Sequence, residues 1–195
     1  MSSNCVSDMV ERMLDESLDD ARREATAVAL KAVGAPALPP LRELMQSDDP
    51  ENRWWSARAL AALGGPQAVA LLTEALSDPD PDVRVCAALG LGVLEATEAV
   101  EPLTRLLADD SAYVARIAGN ALIAIRQPAV PALIQALASP SPGVRAGAAR
   151  ALVPLESHDA IPALFEALDD DSALVSFYAQ EALWRMDVGM LFFEP

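Results

Sequence analysis

The sequence predicts an all-α protein, a right-handed α-solenoid of about six two-helix repeats. Two observations carry this. An arginine-centred segment recurs every 30 or 31 residues, with Arg23, Arg53, Arg84, Ala115, Arg145 and Ser176 at equivalent places. Seven residues after each of these stands a leucine, without exception: Leu30, Leu60, Leu91, Leu122, Leu152 and Leu183. A pair of short helices cannot bury its apolar faces alone. Stacked copies make one continuous core.

The longer helix of each copy, helix B, follows from its spacing. Three places after the anchor come Thr26, Ser56, Ala87, Ala118, Ala148 and Ala179. Ten places after it come Val33, Leu63, Leu94, Ile125, Leu155 and Met186. Small or apolar residues at +3, +7 and +10 form one stripe of a helix with 3.6 residues per turn. Four places before the anchor stand Asp19, Asp49, Asp80, Ser111, Ser141 and Ser172. Each is a good N-cap, because its side-chain oxygen can accept a free first-turn amide. Pro50, Pro81 and Pro142 follow their caps, where a missing N–H costs nothing.

Upstream of each cap lies a shorter apolar helix, helix A, read in ALPPLRELMQ, AVALLTEALS, AVEPLTRLLA, AVPALIQALA and AIPALFEALD. Pro39, Pro102, Pro131 and Pro162 fall in its first turn. The copies divide as 8–34, 35–64, 65–94, 95–125, 126–155 and 156–187. Together they form a single domain, 1–187, with residues 1–7 frayed and 188–195 as a C-terminal tail or cap. That tail, VGMLFFEP, folds back over the last copy or buries Phe192 and Phe193 in a second molecule as a homo-oligomer.

The segments DPDVRVCAALGLGVL, DPENRWWSARALAALG and SPGVRAGAARALVPL resemble the short HEAT-like repeat, the kind named for phycobilisome lyase subunits. The resemblance covers about residues 8–187. It implies a scaffold fold, which many activities share. It also implies that the anchor arginines bond to acidic residues and carbonyls of adjacent turns, forming a ladder between copies. Within this architecture the B helices line a concave groove.

Composition excludes several functions. Fourteen basic residues stand against twenty-nine acidic ones, a net charge of −15. That balance argues against nucleic acid and anionic membrane, and favours basic or neutral partners. No apolar run approaches a membrane span. The N-terminus lacks a basic n-region, so no signal peptide is expected, and Cys5 and Cys86 without metal-ligand spacing fit a reduced cytoplasmic setting. His158, the one histidine, sits in a loop without a catalytic partner at useful spacing. There is no phosphate loop, nucleophile elbow or zinc motif. No catalytic residue, metal or cofactor is therefore assigned. Deoxyhypusine hydroxylase, a HEAT-like solenoid, holds two irons with repeated His-Glu pairs. No such pair occurs here, which excludes that activity.

Positions +1, +2, +5 and +9 of helix B lie off the core stripe and face the groove. The candidate binding residues are Trp54, Trp55, Arg58, Cys86, Leu89, Arg116, Ile117, Asn120, Arg150 and Tyr178. Aromatic side chains and arginines dominate binding hot spots. Filling of seams between B helices competes with this reading at Trp54, Val85 and Phe177. It fits Trp55, Arg58 and Tyr178 less well. The function expected is a non-catalytic scaffold binding another protein in the groove. The alternative is a phycobiliprotein lyase subunit or related factor that shelters a bilin against Trp54, Trp55 or Tyr178.

Overall fold

The computed structural model describes residues 3–188. The tail beyond Val188, with Phe192 and Phe193, lies outside the described residues. Twelve α-helices and no strand occur among the described residues. The chain divides into two compact units, Met1–Leu94 and Glu95–Pro195.

The first unit holds three helical pairs. They are α1 (Ser3–Leu14) with α2 (Asp20–Val33), α3 (Leu38–Leu44) with α4 (Pro50–Leu63), and α5 (Pro66–Ala75) with α6 (Pro81–Val93). Helices α2, α4 and α6 pack side by side in that order. Residues 3–7, expected to fray, are helical instead. The reason is a second apolar stripe: Val6, Val10 and Met13 share one face and are buried.

The second unit repeats the plan. It pairs α7 (Val100–Arg105) with α8 (Ala112–Ile125), α9 (Val130–Ala136) with α10 (Pro142–Leu152), and α11 (Ile161–Glu166) with α12 (Ala173–Arg185). Helix α10 packs against both α8 and α12. Pro154 sits in a single 3-10 turn, Val153–Leu155, that ends helix B of the fifth copy.

The repeat signals do distinct physical jobs. The +7 leucines are all buried, none more than 2% exposed. At +3, Ala87, Ala118, Ala148 and Ala179 are fully buried, so small side chains let the paired helices approach. Ser56 at the same place is also buried, and its hydroxyl donates to the Leu41 carbonyl at 2.7 Å. That bond ties α4 to α3 and satisfies a polar group that would otherwise be costly. Of the six expected caps, Asp19, Asp49, Asp80 and Ser111 accept first-turn amides. Ser141 and Ser172 occupy the cap position but make no side-chain cap bond.

Helix B ends at one repeated place, eleven residues after the anchor. Gly34, Gly64, Glu95, Arg126, Glu156 and Asp187 all have positive φ there. Arg126 adopts φ 68°, ψ −136°, nearly the conformation of Gly34 at φ 71°, ψ −143°. Such a backbone is strained for any residue with a Cβ. Arg126 is exposed, and the substitution Arg126→Gly is expected to stabilise the protein by about 1 kcal/mol. A urea melt showing no gain would mean that the arginine side chain makes compensating contacts.

Candidate functional site

The anchor arginines join successive copies. Arg53 grips Asp78 of the next copy with two parallel bonds, Nε to Oδ2 at 2.8 Å and Nη2 to Oδ1 at 2.9 Å. Its Nη1 donates to the Ser47 and Asp48 carbonyls. Arg145 repeats the arrangement on Asp170, at 2.7 and 2.9 Å, and on the Ser139 and Pro140 carbonyls. Arg84 donates to the Asp78 and Pro79 carbonyls. Where Ala115 replaces the anchor, the corresponding residue of the next turn is Ser139 and not an aspartate. Burial raises the Asp78 carboxyl, but the Arg53 bond and the Asp80 amide outweigh it and hold the group below its ordinary 3.8. The Arg145 bond holds Asp170 below the same value, with burial opposing it. These arginines are therefore structural.

In the first unit the expected groove residues do not make an open site. Trp55 is buried, a correction to its placement in the groove. The Arg23 guanidinium lies over its ring at 4.6 Å, Trp54 meets it edge-on at 4.9 Å, and its indole N–H points at Glu51 Oε1 at 3.4 Å. Arg23 is itself buried, bonded to the Met13 carbonyl and paired with Glu51 at 2.6 Å. Trp54 is half-buried, and Arg58 is paired with Glu24 of α2. Cys86 is buried with its sulfur 3.8 Å from the Trp54 carbonyl, again a correction. Leu89 stands out at 48% exposure.

The second unit does bring expected residues together. Arg116, Arg150 and Tyr178 line one open cleft of ≈390 Å³ on the B-helix face. Arg116 is exposed, with its guanidinium 5.0 Å from the Tyr113 ring centre. Arg150 donates to Asn120 Oδ1 at 3.1 Å and to the Arg116 carbonyl at 3.0 Å. Asn120 thus holds Arg150 and is not itself part of the cleft lining. Ile117 is buried, the third correction at a +2 position. Phe177, for which seam filling competed, is 57% exposed. Ala146, Gly147, Leu174, Asp109 and Asp110 also line the cleft.

The sequence profile of the family described as HEAT repeats matches residues 6–84, 38–123 and 100–184. The chain belongs to the HEAT-repeat family. No curated protein matches it. Solved structures similar to this HEAT-repeat chain include an engineered protein, 26% identical with a TM-score of 0.54, covering 95% of this chain and 98% of that one. The complex of CpcE and CpcF of phycocyanin lyase from Nostoc sp. PCC7120 is 23% identical with a TM-score of 0.53, over 95% of this chain and 77% of that one. The YibA protein of E. coli is 22% identical with a TM-score of 0.60, over 97% and 76%. At such identity the last two share the fold alone.

Sequence reasoning missed Leu174 and Gly143 of the HEAT-repeat cleft. Both sit two places before the anchor, one turn ahead of +1 and +2 on the same stripe. Extending the i, i+3, i+4 pattern toward the helix start finds them. No helix among the described residues is long and apolar enough to cross a membrane. Burial pushes the Cys86 thiol up to about 12, so it is not a thiolate at neutral pH. Cys86 is expected to resist a disulfide reagent in the folded protein and to react on unfolding. Rapid native labelling of both thiols would contradict its burial.

Proposed function

We propose that this chain is a non-catalytic scaffold that binds another protein on its B-helix face, in the cleft of the second unit. The observation that supports it is the convergence of Arg116, Arg150, Leu174 and Tyr178 on that cleft, with Leu174 59% exposed. A solvated face carries charge. This one joins two arginines and two aspartates to an exposed leucine, a tyrosine and a run of small residues, the mixed make-up of a binding surface. The HEAT-repeat fold is typical of interaction scaffolds.

The test is capture of partners from lysate by the tagged chain, read by mass spectrometry, against a Leu174→Ser/Tyr178→Ala variant whose circular dichroism matches the parent. The expected result is a partner retained by the parent and lost by the variant. A variant that keeps every partner would move the site elsewhere. The phycocyanin lyase likeness brings bilin into the same experiment. Under the scaffold reading, adding a bilin leaves its visible absorption unchanged. A spectral shift abolished in the variant would replace that reading with chromophore handling.

A further inference from the structure

We propose that the cleft of the second unit takes a segment of a partner protein that presents one side-chain carboxylate beside an apolar side chain. This rests on the scaffold reading and names the chemistry of its site.

The first argument is charge. Six other B-helix arginines pair with carboxylates: Arg22 with Asp19, Arg23 with Glu51, Arg53 with Asp78, Arg58 with Glu24, Arg145 with Asp170 and Arg185 with Glu181. Arg116 and Arg150 pair with no carboxylate among the described residues. Arg116 stacks on a neutral ring, and Arg150 donates only to an amide oxygen and a peptide carbonyl. In a chain of net charge −15, the two share one cleft and keep guanidinium faces that no carboxylate holds in a direct pair. Guanidinium groups favour carboxylates through parallel, charge-assisted bonds.

The second argument is preorganisation. A Cβ on Gly119 would lie 2.6 Å from Arg150 Nη2, so the guanidinium rests where only glycine leaves room. Two neutral acceptors then fix its plane without cancelling its charge. A ligand meeting it therefore loses little to reordering.

The third argument is the helix ends. The cleft is lined by the first turns of α8, α10 and α12. Ser141, also in the lining, makes no cap bond, and the amide of Gly143 is too early in α10 to have an intrahelical acceptor. Each helix start carries partial positive charge. Leu174 and the tyrosine ring of Tyr178 supply the apolar contact.

Asp109 and Asp110 set the limit. Both line the cleft, and Asp109 also accepts a backbone amide, that of Ser111, at 2.9 Å. They repel a run of acids, as does the chain's overall charge. The fitting segment carries a single carboxylate among neutral and apolar residues.

The test uses short peptides of the form apolar–Glu–apolar, acetylated and amidated so that only side chains are charged, with Gln and Lys counterparts. Each is titrated into the full chain while the arginine Nε–H signals are followed by NMR. The Glu peptide is expected to bind about tenfold more tightly than the Gln peptide, and to shift Arg116 and Arg150. Arg116→Gln, at an exposed position, is expected to erase the Glu preference with the fold intact. Equal binding of Glu and Gln peptides in the cleft, or preference for Lys, overturns the carboxylate but leaves the scaffold reading standing. The carboxylate also fails if no peptide binds, or if inorganic phosphate or acetate reproduces the shifts at the same concentration. Partner capture indifferent to every cleft substitution overturns the scaffold site itself.

Discussion

Leu60→Ala is expected to cost about 2–5 kcal/mol, the largest loss from any single side chain considered. Leu60 is fully buried at the +7 place of α4, the middle B helix of the first unit. Helix α4 packs against α3, α5 and its neighbouring B helices, and removing a fully buried leucine from it leaves a cavity. In a chain of this size the loss lowers the melting temperature by roughly 5–15 °C. Because each copy leans on its neighbours, the damage spreads through the unit. The control is Val93→Ala on the adjacent B helix, where the side chain is 79% exposed. It is expected to fall within about 0.5 kcal/mol of the parent. Melting followed by tryptophan fluorescence in a Trp184→Phe background, which leaves only Trp54 and Trp55, reads this unit. Equal melting of the two variants would mean that the +7 leucines do not hold the stack together.

Arg53→Ala is expected to cost about 3 kcal/mol. The Arg53 and Asp78 side chains are only 11% and 7% exposed, and they meet through two parallel bonds. Removing the arginine leaves the Asp78 carboxylate half-desolvated and the Ser47 and Asp48 carbonyls without their donor. The pair joins α4 to the turn before α6, so the loss uncouples two copies as well as weakening one. The pH dependence follows from the direction of the Asp78 shift. Its carboxyl titrates below 3.8 in the folded protein. The pair's contribution is therefore complete above that value and lost as pH falls through the lower folded one. The gap between parent and Arg53→Ala should be constant from neutral pH down to about 4 and should narrow below it. Asp78→Asn should lose much of the same stability, and the double variant should cost clearly less than the two losses added. Additive losses would show that the two side chains do not act as a pair.

Much of this architecture was legible in the residues. Caps at Asp19, Asp49, Asp80 and Ser111, prolines at first helical positions and the +7 leucines are local signals. Each acts through its own helix, so spacing alone reads it. The ladder was legible through its recurrence, since Arg53 and Asp78 recur as Arg145 and Asp170, while Ala115 and Ser139 stand at the equivalent places of another pair of copies. The start of α1 was less legible because its copy departs from the repeat pattern, although Val6, Val10 and Met13 carry an ordinary apolar stripe.

The sequence by itself determined the all-helical repeat, the boundaries of helix B and the inward face of each. Those follow from periodicity and capping, which need no neighbour. Only the tertiary structure decided which residues beside the core stripe are open. At +2, Trp55, Cys86 and Ile117 are buried while Tyr178 reaches the cleft, and at +1 Val85 is buried while Arg116 and Phe177 are exposed. The physical reason is that these positions sit at the seams. There the size and charge of a side chain from another copy, such as the Arg23 guanidinium over Trp55, settles whether a residue is covered.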